Sequence, residues 1–231
     1  MPLILPPADA ETARFVARGL IEIGAINFRA GEPYTFTSGL ASPVYVDCRR
    51  VISFPRLRRA VTSLAAAKLA RDVGAEAFDA VAGGETAGIP YAAWLAEKMG
   101  LPMLYVRKKP KGFGRGAQIE GYFEEGARVL LVEDLATDGG SKLRFAEAIR
   151  TAGGVCAHAV VVFYYDIFPP ARLAEGGLTL HHLATWWDVL AAARADASFP
   201  AEALDAAEAF LNAPLAWSAA NGGISELPAA E

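Results

Sequence analysis

The chain has 231 residues, of which 53% are apolar and 21% are charged, and its formal net charge is −4. This length and apolar content allow a sizeable buried core, which excludes an intrinsically disordered protein. The acidic balance disfavours a basic nucleic-acid-binding surface, so we expect no nucleic-acid partner.

Membrane insertion and a disulfide framework are also disfavoured. The two cysteines, Cys48 and Cys156, lie far apart and form no CxxC pattern. No stretch of about 18 apolar residues is free of charges, so we expect no membrane partner. The start of the chain is proline-rich and too short for the apolar part of a signal peptide, which leads us to expect a cytoplasmic setting.

The first fifty residues predict a helix followed by extended chain. Apolar residues recur on one helical face at Ala13, Val16, Leu20 and Ile23. From Phe28 to Cys48, β-formers alternate with turn residues, which indicates short strands or a hairpin. We expect residues 1–50 to contribute a small N-terminal hood to a single domain that spans residues 1–231.

From Pro55 onward, helices alternate with short apolar strands. A helix is predicted from Pro55 to about Val73, because proline suits the first turn. This alternation is typical of right-handed βαβ units, so the predicted fold class is α/β, with a central, mainly parallel sheet flanked by helices. The predicted strands are 78–82, 103–106, 129–132 and 156–165, with helices at 89–99 and 141–150.

The C-terminal part predicts helices and a poorly structured end. Residues 178–183 suit an edge strand, and a helix capped by Thr185 is predicted to run to Arg194. An alanine-rich helix is expected at about 201–211, and residues 213–231 are predicted to be a loosely ordered tail.

The most informative segment follows the strand predicted at 129–132. An acidic pair, Glu133 and Asp134, comes where we expect this strand to leave the core, and a turn-prone loop from Thr137 to Ser141 opens the next helix. In open parallel sheets, ligands bind beyond the carboxyl ends of strands, where a helix N-terminus offers N–H groups to an anion. Two carboxylates beside an anion site indicate a ligand with hydroxyl groups as well, such as a ribose phosphate.

A second glycine-rich loop, residues 83–88, follows the strand predicted at 78–82. On its own, this loop is equally consistent with a plain βα turn. It follows a strand of the same predicted parallel sheet, so we expect it to lie at the same edge as the loop at Thr137 and to form a second anion pocket.

A basic segment at residues 107–118 is predicted to be a mobile loop. It contains Arg107, Lys108, Lys111 and Arg115, and Phe113 is the one large apolar residue between 107 and 116. Such a run is usually a solvated surface loop. Here it lies beside two predicted anion pockets, which favours a lid that closes over a diphosphate.

The segment Val129–Ser141 resembles the diphosphate-sugar binding motif of type I phosphoribosyltransferases. Three further segments resemble the orotate phosphoribosyltransferase family, namely Phe36–Pro43, Ala87–Pro90 and Arg107–Lys111. The resemblance implies the type I phosphoribosyltransferase fold. It also implies transfer of ribose 5-phosphate from 5-phosphoribosyl 1-diphosphate to orotate, which gives orotidine 5′-monophosphate and diphosphate in pyrimidine biosynthesis.

The same resemblance implies roles for individual residues. The implied catalytic residues are Lys111, Glu133 and Asp134. The implied contacts to the sugar diphosphate are Arg107, Lys108, Lys111, Glu133, Asp134, Leu135, Ala136, Thr137, Asp138, Gly139, Gly140 and Ser141. Thr137 and Thr37 would contact the base. Mg²⁺ is the implied cofactor, bound mainly through the substrate without protein ligands, and a homodimer that shares the basic loop between subunits is the implied assembly.

The chain departs from the family pattern at four positions. Thr37, Ala87 and Ile167 stand where the family often has a basic residue, and Phe113 stands where it commonly has histidine. A sugar-diphosphate site is therefore better supported than recognition of the orotate carboxylate, for which Arg172 or backbone groups are candidate donors. Two alternatives stay open, a transferase for another base and a non-catalytic RNA-binding regulator that keeps the sugar-phosphate pocket.

Overall fold

A computed structural model of the chain describes residues 8–29, 31–110, 118–169, 171–196 and 199–227. The chain divides into two compact units, one from residues 52–183 and the other from the described parts of 1–51 and 184–231. The single domain with a hood from residues 1–50 stays a prediction.

The N-terminal segment supplies one helix and four short strands. These are α1 (Ala8–Glu22), β1 (Ile26–Phe28), β2 (Tyr34–Thr35), β3 (Ala41–Ser42) and β4 (Val44–Val46), followed by a 3-10 helix at Cys48–Ser53. Strand β1 pairs antiparallel with β4, and β2 pairs antiparallel with β3. The predicted face of α1 is confirmed, since Val16 and Leu20 are fully buried.

The central unit contains most of a six-stranded sheet. Its elements are α2 (Pro55–Asp72), β5 (Ala80–Gly84), α3 (Gly88–Met99), β6 (Met103–Val106), β7 (Ile119–Glu120), β8 (Arg128–Ala136), α4 (Gly140–Thr151), β9 (Val155–Tyr164), α5 (Ala171–Glu175) and β10 (Thr179–Thr185). The strand order is β10-β9-β8-β5-β6-β7. Strands β6, β5, β8 and β9 run parallel, and β7 is antiparallel to β6.

The central strands are continuous apolar runs in the sequence because both of their faces are buried. All five residues of β5 are buried, and β8 is buried from Val129 through Asp134. One face packs against α4 through an apolar cluster that includes Leu131, Phe145 and Ile149. The predicted α/β class with a mainly parallel sheet is confirmed.

The C-terminal segment adds three helices, α6 (Trp186–Asp196), α7 (Ala201–Asn212) and α8 (Pro214–Ala220). Helix α6 packs against α1, and α7 packs against both α6 and β1. Thr185 caps α6 as predicted, because its Oγ1 accepts a bond from the Asp188 N–H while Asp188 Oδ2 accepts one from the Thr185 N–H.

The prediction of a loose tail from residue 213 is wrong for Pro214–Ala220. These residues form α8, which contacts α7 and β3. The hydroxyl of Ser218 is fully buried and accepts a hydrogen bond from the Ala41 N–H. A short helix with one apolar face carries little local signal, and its order comes from packing against distant residues.

Among the described residues, no helix is long and apolar enough to cross a membrane.

Candidate functional site

Three loops meet at one edge of the central sheet. Strands β5, β6 and β8 are parallel neighbours, so their carboxyl ends lie on the same side. The loops that leave these ends are the glycine loop (residues 83–88), the basic loop, which begins at Arg107, and the phosphate loop (residues 137–141). For the described residues of these loops, the predicted placement at a common edge is confirmed.

The acidic pair lies inside β8 and not beyond its end. Strand β8 continues to Ala136, and Glu133 pairs in register with Val161 of β9. Glu133 is 8% exposed and Asp134 is 7% exposed. The expectation that the strand leaves the core at this pair is therefore wrong. The prediction ended the strand at its first charge, because an unpaired buried charge is costly, but the charge on Glu133 has a partner.

The partner of Glu133 is Lys142, in the first turn of α4. The Lys142 ammonium lies 3.2 Å from Glu133 Oε2, and Lys142 is 5% exposed. The other carboxylate oxygen, Oε1, lies against Gly84 and Gly88. A Cβ at Gly88 would come within 2.6 Å of this oxygen. Only glycine at positions 84 and 88 leaves room for the Glu133 carboxylate.

Burial controls the electrostatics of Glu133. Loss of hydration raises the pKa of this carboxyl to about 7, the Lys142 ammonium opposes the rise, and the neighbouring Asp134 adds to it. A carboxyl with a pKa in this range changes its charge near neutral pH. Its protonation is therefore sensitive to any change in the lysine beside it.

The phosphate loop forms a tight turn into α4. Gly139 has φ +80°, a conformation that favours glycine, and a Cβ there would lie 2.5 Å from the Leu173 side chain. Helix α4 begins at Gly140, and Gly139 O accepts its first hydrogen bonds from Lys142 N and Leu143 N. A helix start of this kind presents backbone N–H groups and the positive end of the helix dipole to an anion.

A second ion pair lies on this loop. Asp138 Oδ2 accepts a 2.7 Å bond from Arg172 in α5, and Asp138 Oδ1 accepts a longer one from Gly140 N. Arg172, considered above as a donor to the orotate carboxylate, is thus paired with Asp138 in the chain alone. The pair is partly exposed to solvent.

The glycine loop contacts the start of the basic loop. Glu85 Oε2 accepts a 2.7 Å hydrogen bond from the Lys108 N–H, and the Glu85 N–H bonds to Val106 O. Arg107 lies 3.6 Å from Glu120 of β7. Arg107 and Lys108 are therefore placed at the sheet edge beside the glycine loop, as the sequence predicts for residues that bind a diphosphate.

The remaining predicted residues are only partly described. Lys111, Phe113 and Arg115 lie outside the described residues, so their roles and the mobility of this loop stay predictions. Thr137 and Ser141 are half-buried in the phosphate loop, between the buried Ala136 and the buried Lys142. Thr37 is exposed in the turn between β2 and β3 and belongs to the other compact unit.

Lys142 and Glu85 are two candidate functional residues that the sequence did not predict. Lys142 occupies a core-facing position of α4 together with Phe145, Ala146 and Ile149. This spacing is the signal that could have revealed it, because a lysine on the apolar face of a helix requires a buried partner. The acidic residue inside the apolar strand before it is the complementary anomaly. Glu85 gave no comparable signal.

Comparison with known protein families identifies the domain to which most of this chain is similar. The model of the phosphoribosyl transferase domain matches residues 53–193. An orotate phosphoribosyltransferase of Sinorhizobium fredii is 60% identical over 219 residues, which are 94% of each chain.

Solved structures agree with this match. The orotate phosphoribosyltransferase of Aeropyrum pernix has a TM-score of 0.67 and 31% identity over 76% of this chain and 96% of its own. The Mycobacterium tuberculosis orotate phosphoribosyltransferase in complex with 5-phospho-α-D-ribosyl 1-diphosphate has a TM-score of 0.57 and 26% identity, over 79% of this chain and 99% of its own. Leishmania donovani UMP synthase has a TM-score of 0.74 and 28% identity, covering 86% of this chain but 42% of its own.

The fold and the three loops at one sheet edge define a type I phosphoribosyltransferase. The chain belongs to the phosphoribosyltransferase family and, within it, to the orotate phosphoribosyltransferases.

Proposed function

We propose that this chain transfers the ribose 5-phosphate group of 5-phosphoribosyl 1-diphosphate to orotate, giving orotidine 5′-monophosphate and diphosphate. The observation that carries the proposal is the meeting of the glycine, basic and phosphate loops at one edge of the sheet. The identity of 60% with an orotate phosphoribosyltransferase over 94% of both chains supports orotate as the acceptor.

Each loop suits one part of the sugar diphosphate. The N-terminus of α4 and the phosphate loop suit the 5′-phosphate, because they present N–H and hydroxyl groups. The glycine loop and the cations Arg107 and Lys108 suit the diphosphate. Asp134, two residues before the end of β8, is the carboxylate that we assign to the ribose hydroxyls, with Glu133 beside it in the strand.

The reaction separates charge, and the site matches that separation. The bond between the anomeric carbon and a diphosphate oxygen breaks, and a ring nitrogen of orotate, which gives up its proton, bonds to that carbon. The ribose carbon becomes more positive while the leaving diphosphate becomes more negative. Carboxylates near the ribose and cations near the diphosphate stabilise both ends of this separation in the transition state.

The proposal also includes a Mg²⁺ cofactor, a homodimeric assembly and a cytoplasmic location. No cluster of three acidic, histidine or cysteine side chains that could hold a metal occurs among the residues that the structure describes. A Mg²⁺ ion held mainly by diphosphate and ribose oxygens would neutralise charge on the leaving group. We further propose a cytoplasmic homodimer in which the basic loop, including Lys111, reaches the neighbouring site and excludes water when it closes.

The test is a base screen with the full chain. We expect the ultraviolet absorbance of orotate to fall when both Mg²⁺ and 5-phosphoribosyl 1-diphosphate are present, and not when either is omitted. Parallel reactions with uracil, adenine and hypoxanthine test the other bases. Turnover with one of these and none with orotate would move the assignment to another transferase of the same fold. Binding of RNA without any turnover would support the non-catalytic alternative.

A variant pair assigns the activity to this site. Asp134→Asn should lower kcat strongly while the circular dichroism spectrum stays unchanged. Asp205→Asn is the matched control, since Asp205 is exposed on α7, outside the proposed site. Equal rates in Asp134→Asn and wild type would contradict the assignment of the activity to this site.

A further inference from the structure

Lys142 is a buried cation with two polar contacts. Its ammonium lies 3.2 Å from Glu133 Oε2 and 3.2 Å from the Ser141 hydroxyl. It lies among the core-facing residues of α4, where Phe145 and Ile149 are its helical neighbours. Lys142 therefore joins the phosphate loop, through Ser141, to the acidic end of β8.

Glu133 makes the second half of the connection. Its Oε1 lies against Gly84 at the end of β5 and Gly88 at the start of α3, which are the two ends of the glycine loop. The same carboxylate thus touches Lys142 on one side and the glycine loop on the other. A continuous line of contacts runs from the phosphate loop through Lys142 and Glu133 to the glycine loop.

We propose that the Glu133–Lys142 pair holds the phosphate loop and the glycine loop at the separation that the sugar diphosphate requires, with Lys142 as a positioning residue for the transfer. This inference rests on the proposed function, because it assigns the two loops to the two ends of one substrate. Lys142 acts through Ser141 and Glu133, since its side chain is buried behind the loop.

The energetics favour a positioning role over a stabilising one. A buried ion pair is often no more stable than a well-packed apolar pair of similar size, because desolvation offsets the attraction. Its geometry, however, is more restrictive than that of apolar contacts. A pair that fixes two loops at a defined separation uses this property, because small displacements of binding groups strongly reduce the rate.

The charge of Glu133 gives the proposal a second readout. The charged groups that act on this carboxyl are Lys142 from α4 and Asp134, the next residue of its own strand, while β5 and α3 meet it with Gly84 and Gly88, and the backbone at Gly88 also favours the carboxylate. Burial and Asp134 favour the neutral acid, and Lys142 favours the carboxylate. Removal of the lysine charge should therefore protonate Glu133 at a higher pH than in the wild type.

The experiment compares Lys142→Met with the wild-type protein. We expect kcat/KM for 5-phosphoribosyl 1-diphosphate to fall by about ten- to a hundredfold, since displaced binding groups cost this much. The acidic limb of the pH profile should move up by about one pH unit or more as Glu133 loses its cation. Calorimetry should show weaker binding of both ribose 5-phosphate and inorganic diphosphate, because both loops lose their common support.

Lys98→Met is the matched control, since Lys98 is an exposed lysine in the last turn of α3. It should leave kinetics and binding unchanged. Lys142→Arg keeps the charge, so it should keep the acidic limb near its wild-type position even where its larger side chain raises KM. If Lys142→Met fails to fold, the double variant Glu133→Gln with Lys142→Met removes both charges of the pair. This variant should fold, bind both ligands weakly and lose the acidic limb.

Two results would overturn the inference. One is a folded Lys142→Met with the wild-type pH profile and wild-type affinity for both ligands. The other is weakened binding of only one ligand, which would show that the loops are not connected through this pair. Failure of the proposed function is a separate result, in which the wild type binds both phosphates but does not consume orotate.

Discussion

Two ion pairs involve the phosphate loop or the residues that flank it. Glu133 and Lys142 flank the loop and pair in the core, whereas Asp138 within the loop pairs with Arg172 at the surface. The side chains of the first pair are 10% and 6% exposed, and those of the second are 40% and 33% exposed. The surface pair has the shorter contact, 2.7 Å against 3.2 Å. Contact distance alone would rank the surface pair higher, but water and salt screen its charges.

The buried pair differs in the penalty for leaving one member alone. In the core, a single unpaired charge has no water to replace its partner, so it is costly although the intact pair adds little stability. At the surface, water replaces either partner. The comparison predicts large, pH-dependent effects at Glu133 and Lys142 and small, salt-dependent effects at Asp138 and Arg172.

The largest expected effect on stability is that of Glu133→Ala. It leaves the Lys142 ammonium buried and unpaired, which should lower the free energy of unfolding by about 3–5 kcal/mol. Urea denaturation measures this change. Asp138→Ala is the counterpart at the surface and should cost at most about 1 kcal/mol. Equal losses in the two variants would contradict the distinction drawn from burial.

The pH dependence of stability should follow Glu133. Its folded pKa of about 7 lies above the ordinary 4.5, so the folded state binds the proton more tightly than the unfolded chain. The stabilisation from this proton is complete at low pH and is lost as pH rises through about 4.5 to 7, by about 3 kcal/mol at most.

The measurement is the difference in unfolding free energy between wild type and Glu133→Gln, taken across that pH range. The glutamine cannot titrate, so the difference isolates the carboxyl. Wild type should lose stability relative to Glu133→Gln as pH rises. A constant difference would mean that the folded pKa of Glu133 is not raised.

A smaller effect is expected from closing the space around the buried carboxylate. Gly88→Ala would place a methyl group against the Val132 carbonyl oxygen and 2.6 Å from Glu133 Oε1, and such overpacking should cost about 1–3 kcal/mol. Activity should fall as well, because the glycine loop must shift. Gly31→Ala is the control, since a Cβ at Gly31 meets no atom of the described residues within 4 Å. Tolerance of both changes would show that the β8 backbone at Val132 and the Glu133 carboxylate can both move.

The smallest effect on stability is expected from Arg172→Met. The change removes one member of a partly exposed pair, so the unfolding free energy should change by about 0–1 kcal/mol, less at high salt. The effect on substrate binding should be larger than the effect on stability. Asp138 without Arg172 would leave a negative charge beside the 5′-phosphate, and KM for the sugar diphosphate should rise. A matching Asp138→Asn change should reverse much of that rise.

The sequence predicted the central unit well because its signals are local. The strand at Met103–Val106 was placed at its observed limits, and the helix from Pro55 was placed to within a residue of its end. Strand β8 was ended four residues early, at Val132. A periodicity argument treats each charge as a sign of exposure, and at Glu133 the charge is compensated by a residue nine positions later.

The other unit was harder to predict because its contacts join distant parts of the chain. Helix α6 packs against α1, and Ser218 of α8 bonds to Ala41 of β3. Neither relation leaves a pattern within a short window of sequence. The phosphate loop was recognised by its order of residue types, whereas Lys142 and Glu85 act through contacts that only the folded chain shows.

The bond between Ser218 and Ala41 has a consequence for the order of events during synthesis. The Ile224 N–H also bonds to Gly39 O, so the turn that carries Thr37 is held by residues near the end of the chain. Residues 52–183 can complete their sheet while the ribosome is still adding amino acids. The turn at Thr37 is synthesised before residue 224, so it reaches its final hydrogen bonds only after translation has passed that residue.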